Sequence, residues 1–379
     1  MKIFYWSPFS SNIATIKAVL YSIESLIKFG KNKYKPVLLN AVGEWDDLQK
    51  KNNINFIKVS NINLFKFILN KGFISSRIIY VLTFLFCFFK LKKILEKEKP
   101  EYLILHLLTS LPLLLCCFFN FKTKFILRIS GYTKLNFFRK LLWKVARNKI
   151  YLVTTPSIST LNNLIEKNIF NKDQIKLLYD PIYKIREIPK KKNQTITYNL
   201  NEKFKYILAI GRLTKQKNFK YLINEFSKIK KDFPTYKLLI LGEGEEKKNL
   251  INLIDKLKLN DEINLIGYQK NCFNYIKYAD CFVLTSLYED PGFVLLEAAI
   301  SNKIIISSIC PNGPKDFFEE NNNNGFFFKT DKNDSLYNIF KIYHSTNEDI
   351  KFKKLINAKR YSKKFNFFNH FKQIEKILI

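Results

Sequence analysis

Two glutamates, Glu289 and Glu297, stand eight positions apart in the run Ser286-Leu287-Tyr288-Glu289-Asp290-Pro291-Gly292-Phe293-Val294-Leu295-Leu296-Glu297-Ala298. The preceding Phe282-Val283-Leu284-Thr285 reads as a buried strand, and Pro291-Gly292 closes the turn that leaves it. Glu289 is therefore predicted on the loop at the strand's carboxyl end, with Glu297 about one turn into the following helix. Ligands of open α/β sheets bind outside the carboxyl ends of strands. The first amides of a helix are unpaired donors, suited to an anion or to sugar oxygens. Two carboxylates beside such a helix start can grip hydroxyl groups, as a bound nucleotide sugar requires. A glutamate in a first helical turn is also ordinary macrodipole chemistry, so the pair alone leaves both roles open.

A second group of residues follows the predicted strand Tyr206–Ala209. Gly211 sits at the strand exit, with Arg212 and Lys217 five apart before a helix. Arg offers a planar fork, Lys a point charge and the helix start its amides, which together make a diphosphate grip. In a chain with 64 Lys and Arg the same segment also reads as a solvated basic turn. The next strand ends in Leu241-Gly242-Glu243-Gly244, which lets a ligand approach the backbone but lacks the full dinucleotide pattern. Pro311-Asn312-Gly313-Pro314 follows the last predicted strand. All of these lie at strand carboxyl ends within one half of the chain.

The elements that must position these groups alternate between strand and helix throughout, the pattern of doubly wound parallel sheets. Strands are predicted near Lys2–Ser7, Lys35–Asn40, Asn55–Ser60, Glu101–His106, Lys124–Ser130, Tyr151–Thr155 and Ile175–Tyr179. A second series covers Tyr206–Ala209, Lys237–Leu241, Glu262–Ile266, Cys281–Thr285 and Lys303–Ser307. Helices are predicted at Ser11–Phe29, Ser75–Glu98, Leu135–Arg147 and Ser157–Glu166, with Ser335–His344 and Lys351–Leu378 closing the chain. The polar, proline-bearing stretch Ile188–Thr195 reads as a linker, and Asn321–Asn324 as a polar loop. The expected layout is an N-terminal domain over 1–187, a linker over 188–203, a second domain over 204–350 and a helical segment over 351–379 that packs back on the first domain. A length of 379 residues fits two domains.

The ordered set Gly211-Arg212…Lys217, Leu241-Gly242-x-Gly244, Tyr278-Ala279-Asp280, Glu289-x7-Glu297 and Gly313-Pro314 resembles the donor domain of glycosyltransferase family 4, the glycosyl transferases group 1 family. The match runs over about residues 200–320, and the first half matches in layout. The resemblance implies a GT-B fold of two Rossmann-like domains facing a central cleft, and a retaining, metal-independent hexosyltransferase. It implies that Arg212 and Lys217 neutralise the donor diphosphate and that Glu297 holds the ribose hydroxyls. Glu289 would face the transferred sugar near the backbone of Gly292, Phe293 and Val294. Gly211, Gly242 and Gly244 would line the nucleotide, and Gly267-Tyr268 would border its base. The nucleotide sugar is a substrate, no cofactor or metal is expected, and cationic side chains do a metal's work on the leaving group. The sugar moved would be a hexose or N-acetylhexosamine, from a UDP-sugar or alternatively GDP-mannose, onto a growing surface polysaccharide, lipopolysaccharide or lipid-linked glycan.

In the first half, His106 ends a predicted strand. A lone histidine beside apolar residues is often a packed one; a strand-end position also suits a cleft, and the resemblance implies a contact with the donor sugar. Ser130-Gly131 is a candidate for the acceptor side. The turn Pro8–Thr15 lacks the glycines usual in the family, and its Ser and Thr hydroxyls would replace them. Net charge is +32, with residues 1–190 holding 32 Lys and Arg against 11 Asp and Glu, and residues 191–379 holding 32 against 21. The excess points to an anionic partner or to compositional bias. Ser75–Lys93, Leu107–Phe121 and Leu135–Arg147 carry aromatic and basic residues suited to an anionic membrane, with Leu141, Leu142 and Val145 expected in the core.

A hydrophobic content of 47% excludes a disordered chain. The longest uncharged apolar run, Ile78–Phe89, is shorter than the roughly 20 residues that span a bilayer. The amino terminus reads as a strand, not a signal peptide. Six cysteines without a CxxC pair read as buried thiols of a reducing compartment. The expected location is cytoplasmic, peripheral on the inner face of the plasma membrane. Two alternatives stand beside glycosyl transfer: a GT-B sugar-nucleotide epimerase or hydrolase, and a basic nucleic-acid-binding protein. No zinc finger or RNP-like strand supports the latter, so no nucleic-acid partner is expected.

Overall fold

The computed structural model describes all residues except 10–13, 50–53, 64–72, 132–134, 197, 320–322, 331–334 and 379. The predicted turn at Pro8–Thr15, the loop Asn321–Asn324 and the start of the first predicted helix fall partly outside the described residues. The chain divides into two units, Met1–Ile182 with Phe367–Ile379, and Tyr183–Asn366.

The first unit runs β1 (Lys2–Trp6), α1 (Ala14–Phe29), β2 (Lys35–Asn40), α2 (Asp46–Gln49), β3 (Asn55–Lys58), α3 (Phe73–Glu98), β4 (Tyr102–Leu105), α4 (Ser110–Phe118), β5 (Lys124–Arg128), α5 (Phe137–Ala146), β6 (Ile150–Thr155), α6 (Ile158–Glu166) and β7 (Ile175–Leu177). The strands are parallel in the order β3-β2-β1-β4-β5-β6-β7. Helices cover both faces, so the central strands are apolar on both. In β1, Phe4 and Trp6 pack toward Leu91, Leu113 and Trp143. Its Ile3 and Tyr5 face the opposite layer with Val19, Ile23 and Leu26.

The second unit runs α7 (Ile188–Lys192), β8 (Lys205–Ile210), α8 (Phe219–Asp232), β9 (Tyr236–Leu241), α9 (Lys247–Lys256), β10 (Ile263–Gly267), α10 (Phe273–Tyr278), β11 (Cys281–Leu284), α11 (Phe293–Ile300), β12 (Ile304–Ser308), α12 (Gly313–Glu319), β13 (Phe326–Phe328), α13 (Leu336–Ser345) and α14 (Glu348–Ser362). Its parallel sheet has the order β10-β9-β8-β11-β12-β13. The last helix, α15 (Phe367–Ile377), belongs to the first unit, where it packs on α1. Both sheets are thus the doubly wound kind that the alternation predicts. Strand order reverses between β1 and β4 in one and between β8 and β11 in the other.

Three local expectations are corrected. The stretch read as a linker opens with α7, which buries Ile188 and packs on α10. Pro189 stands in its first turn, where the missing amide costs no helical bond. The single helix expected from Lys351 is two, because Asn366 is extended between α14 and α15. In α5 the buried residues are Trp143 and Ala146, while Leu141 and Val145 are 50% and 60% exposed. The helix has more apolar residues than one contact stripe can cover, and its two fully buried positions lie three apart, along one face. Strand β13 went unforeseen, being three residues that follow an asparagine run.

Candidate active site

The strand exits at the reversal of the second sheet carry the charged residues singled out above. After β8, Lys217 folds back over Gly211, where an added Cβ would lie 2.8 Å from Lys217 Cε. Glycine at that position makes room for the lysine stem. Lys217 Nζ donates to Glu289 Oε1 on the loop after β11, and both side chains are largely buried. Ser286 Oγ donates to the same carboxylate oxygen at 2.7 Å. The Glu289 carbonyl accepts from Gly313 N at 3.0 Å, which ties this loop to the turn after β12. Gly313 is itself confined, since a Cβ would lie 1.9 Å from the Pro291 carbonyl oxygen. Arg212 is exposed and, among the described residues, has no ion-pair partner. A buried cation–carboxylate pair with an exposed guanidinium beside it offers both charge signs to a bound group.

Helix α11 starts at Gly292, whose φ of +88° suits glycine, and no side chain caps it. Helical geometry leaves the first-turn amides, including those of Phe293 and Val294, without acceptors in their own helix. Glu297 is buried in this helix, and its Oε2 lies 3.4 Å from Cys272 Sγ, which donates to it. Gly242 and Gly244 act on the chain itself. Added Cβ atoms would lie 1.8 Å from Gly211 O and 2.3 Å from Leu213 O, so the close approach they permit is of one loop on another. Gly267 ends β10 with φ +83° and accepts from Gly242 N at 2.9 Å. Tyr268 beside it is 67% exposed.

The motif Tyr278-Ala279-Asp280 lies at the opposite, amino end of β11. Asp280 Oδ2 accepts from Tyr236 and Tyr343 at 2.8 and 2.6 Å and joins β9 to α13. Its work is structural.

In the first unit His106 follows β4 directly, at the reversal of that sheet. Its ring stacks with Tyr5 at 6.1 Å between centroids. Burial, then the Arg128 charge and His370, hold its imidazole well below the usual histidine range, so it is neutral. Arg128, at the end of β5, pairs with Asp180 at 2.5 Å and donates to Leu178 O at 2.7 Å, all buried.

Residues 190–365, nearly all of the second unit, match the family model described as Glycosyl transferases group 1. The second unit is therefore similar to that family, over just under half of the chain. An uncharacterized glycosyltransferase of Methanocaldococcus jannaschii is 32% identical over 249 residues, 60% of each chain. A Campylobacter jejuni N-acetylgalactosamine-N,N'-diacetylbacillosaminyl-diphospho-undecaprenol 4-alpha-N-acetylgalactosaminyltransferase is 28% identical over 54% of this chain and 55% of its own. The chain thus spans little more than half the length of these curated relatives. Among solved structures, Anabaena HepE in complex with UDP superposes with a TM-score of 0.76 at 15% identity, over 100% of this chain and 99% of that one. That likeness shows the fold, GT-B.

The structure brings Arg212, Lys217, Glu289 and Gly292 to the adjoining exits of β8 and β11, and Glu297 lies about one turn into the helix that follows. His106 lies in the other unit. Sequence reasoning missed Ser286, which holds Glu289, Cys272, which touches Glu297, and Gln216, which bonds to the loop of Glu289. The serine stands three residues before the glutamate, a short-range side-chain spacing that was there to be read. The contacts of Cys272 and Gln216 are long-range and carry no local signal.

Proposed function

We propose that the protein is a retaining, metal-independent glycosyltransferase that moves a hexose or N-acetylhexosamine from a nucleotide sugar, a UDP-sugar or alternatively GDP-mannose, to a lipid-linked or surface glycan. The observation that carries this is the Lys217–Glu289 pair beside Arg212, at adjoining strand exits that mark the sheet's reversal. Arg212 and Lys217 stabilise the charge that grows on the departing diphosphate, the role a metal fills elsewhere. Glu297 accepts from the ribose hydroxyls, and the α11 amides with Glu289 meet the sugar end. The pairing of Glu289 with Lys217 lowers its fitness as a covalent nucleophile and favours attack on the same face as the leaving group. The Campylobacter relative, by its name, acts on a diphospho-undecaprenol glycan, and this supports a lipid-linked acceptor. Turnover of a panel of UDP-, GDP- and ADP-sugars, read as release of the nucleoside diphosphate, tests the proposal; no release from any donor would overturn it.

The acceptor class calls for a membrane-facing surface, and the first unit offers one. No helix among the described residues is long and apolar enough to cross a membrane. Helices α3, α4 and α5 pack side by side over one face of the sheet. Their outer surface exposes Ile78, Val81, Leu85 and Phe89 on α3, Phe118 on α4, and Phe137, Phe138, Leu141 and Val145 on α5. Exposed Lys93, Arg139, Lys140, Lys144 and Arg147 surround them. Apolar side chains ringed by cations fit an anionic lipid surface, where the enzyme sits peripherally on the cytoplasmic face. Sedimentation with anionic and neutral vesicles tests this part.

A further inference from the structure

The β8–β11 junction is weakly laddered where the chemistry is proposed. Registered pairs are Cys281 with Ile207 and Phe282 with Leu208. Ala209, Ile210, Val283 and Leu284, the carboxyl ends of the two strands, lie outside that ladder. Yet the loops that continue these ends carry Lys217 and Glu289, whose spacing has to be held. The contacts that hold it are outside the sheet. The Leu287 amide donates to the Gln216 carbonyl at 2.8 Å, and Gln216 Nε2 donates to the Tyr288 carbonyl at 2.9 Å. Thr285 Oγ1 adds a bond to the Lys217 carbonyl at 2.9 Å.

We propose that Gln216 is a positioning residue that locks the lysine loop to the glutamate loop, fixing Lys217 and Glu289 for the nucleotide sugar. It touches both sides: its own backbone precedes Lys217, and its amide reaches the carbonyl of the residue before Glu289. The side-chain bond requires a donor, because its partner is a carbonyl oxygen. Methionine at 216 keeps length and neutrality but donates nothing. Lysine keeps both reach and a donor. The proposal rests on the diphosphate role given above to Lys217.

The experiment uses the full chain, with UDP and GDP as probes. Gln216→Met should weaken nucleotide binding about threefold to tenfold, the worth of one hydrogen bond, with the melting temperature nearly unchanged. Amide exchange in the peptide spanning residues 285–289 should accelerate, and Gln216→Lys should return that exchange to the wild-type rate. Lys217→Ala should weaken binding further. The double variant Gln216→Met/Lys217→Ala should bind no worse than Lys217→Ala alone, because a positioning residue acts through the group it positions. Additive losses, or a Gln216→Met protein with wild-type exchange and affinity, would overturn the lock. Failure of the diphosphate role looks different: Lys217→Ala binds both nucleotides like wild type, or wild type binds neither. Exchange over 285–289 then still decides whether the lock itself exists.

Discussion

The two sheets reverse direction in the same way, yet one reversal carries exposed charge and the other a neutral ring. At β8 and β11 the exits bear a guanidinium in solvent, an ammonium paired to a carboxylate, and an uncapped helix start. At β1 and β4 the exit holds a neutral histidine stacked on Tyr5. Arg128, whose charge acts on His106, is paired with Asp180 in the interior. One scaffold therefore presents charged groups in one unit and a neutral rim in the other. The difference lies in the few side chains that end the strands, which is where function resides on shared folds.

Removing the charge should collapse the comparison most sharply. Arg212→Ala and Lys217→Ala should each slow transfer on the order of 10-fold to 1000-fold with the fold intact, as losses of leaving-group stabilisation do. A double variant with wild-type turnover would mean that the charged rim does no chemistry. Next in size is the proposed membrane face of the first unit. Gln at Arg139, Lys140, Lys144 and Arg147 should lower partition onto anionic vesicles by roughly two to three orders of magnitude, at about 1 kcal/mol or less per charge. High salt should mimic the change, and nucleotide binding should stay put. Equal sedimentation of variant and wild type would leave the basicity to composition. Within the charged rim, Glu297→Gln should weaken nucleoside-diphosphate binding by about tenfold, since a charge-assisted hydrogen bond becomes a neutral one. Glu289→Gln should instead cost turnover more than affinity. Titration giving the reverse order would exchange the two glutamates' roles.

What the sequence disclosed follows from what is local. Periodicity gave most strands of both sheets, because strands buried on both faces read as apolar runs. The placement of Glu289, Glu297, Arg212 and Lys217 was legible because each sits beside a strand exit or helix start with a glycine nearby. The glycines were half legible: their need for space showed, but not what fills it, since Gly242 and Gly244 face Gly211 and Leu213 from another loop. The α5 face was misjudged because hydrophobicity says which residues resist water and not which neighbours exist to cover them. Leu141 and Val145 are left half covered or less. Gln216 stayed hidden for the same reason, its partners lying some seventy residues away across the sheet reversal.

A last expected effect concerns the first unit's response to acid. His370, on α15, is buried with Nδ1 at 2.7 Å from Tyr179 O and Nε2 at 2.8 Å from Ser22 Oγ. Burial pushes its imidazole down to about 3. The unfolded chain titrates near the usual 6.5, so between about pH 6.5 and 3 it binds a proton that the folded unit refuses. Stability present above pH 6.5 is therefore lost as pH falls, by up to about 1.4 kcal/mol per pH unit for this one group. Glu44, in the same unit, works the other way. Burial raises its carboxyl from 4.5 to about 7, so the folded unit holds a proton there that the unfolded chain has released. The stability it contributes at low pH is lost as pH rises through that window, which offsets part of the histidine effect. Urea unfolding at pH 6.5 and pH 5 separates the two. His370→Gln should lose up to about 2 kcal/mol less than wild type on acidification, and Glu44→Gln should lose more. Parallel acid losses in all three proteins would show that these buried groups do not set the first unit's pH response.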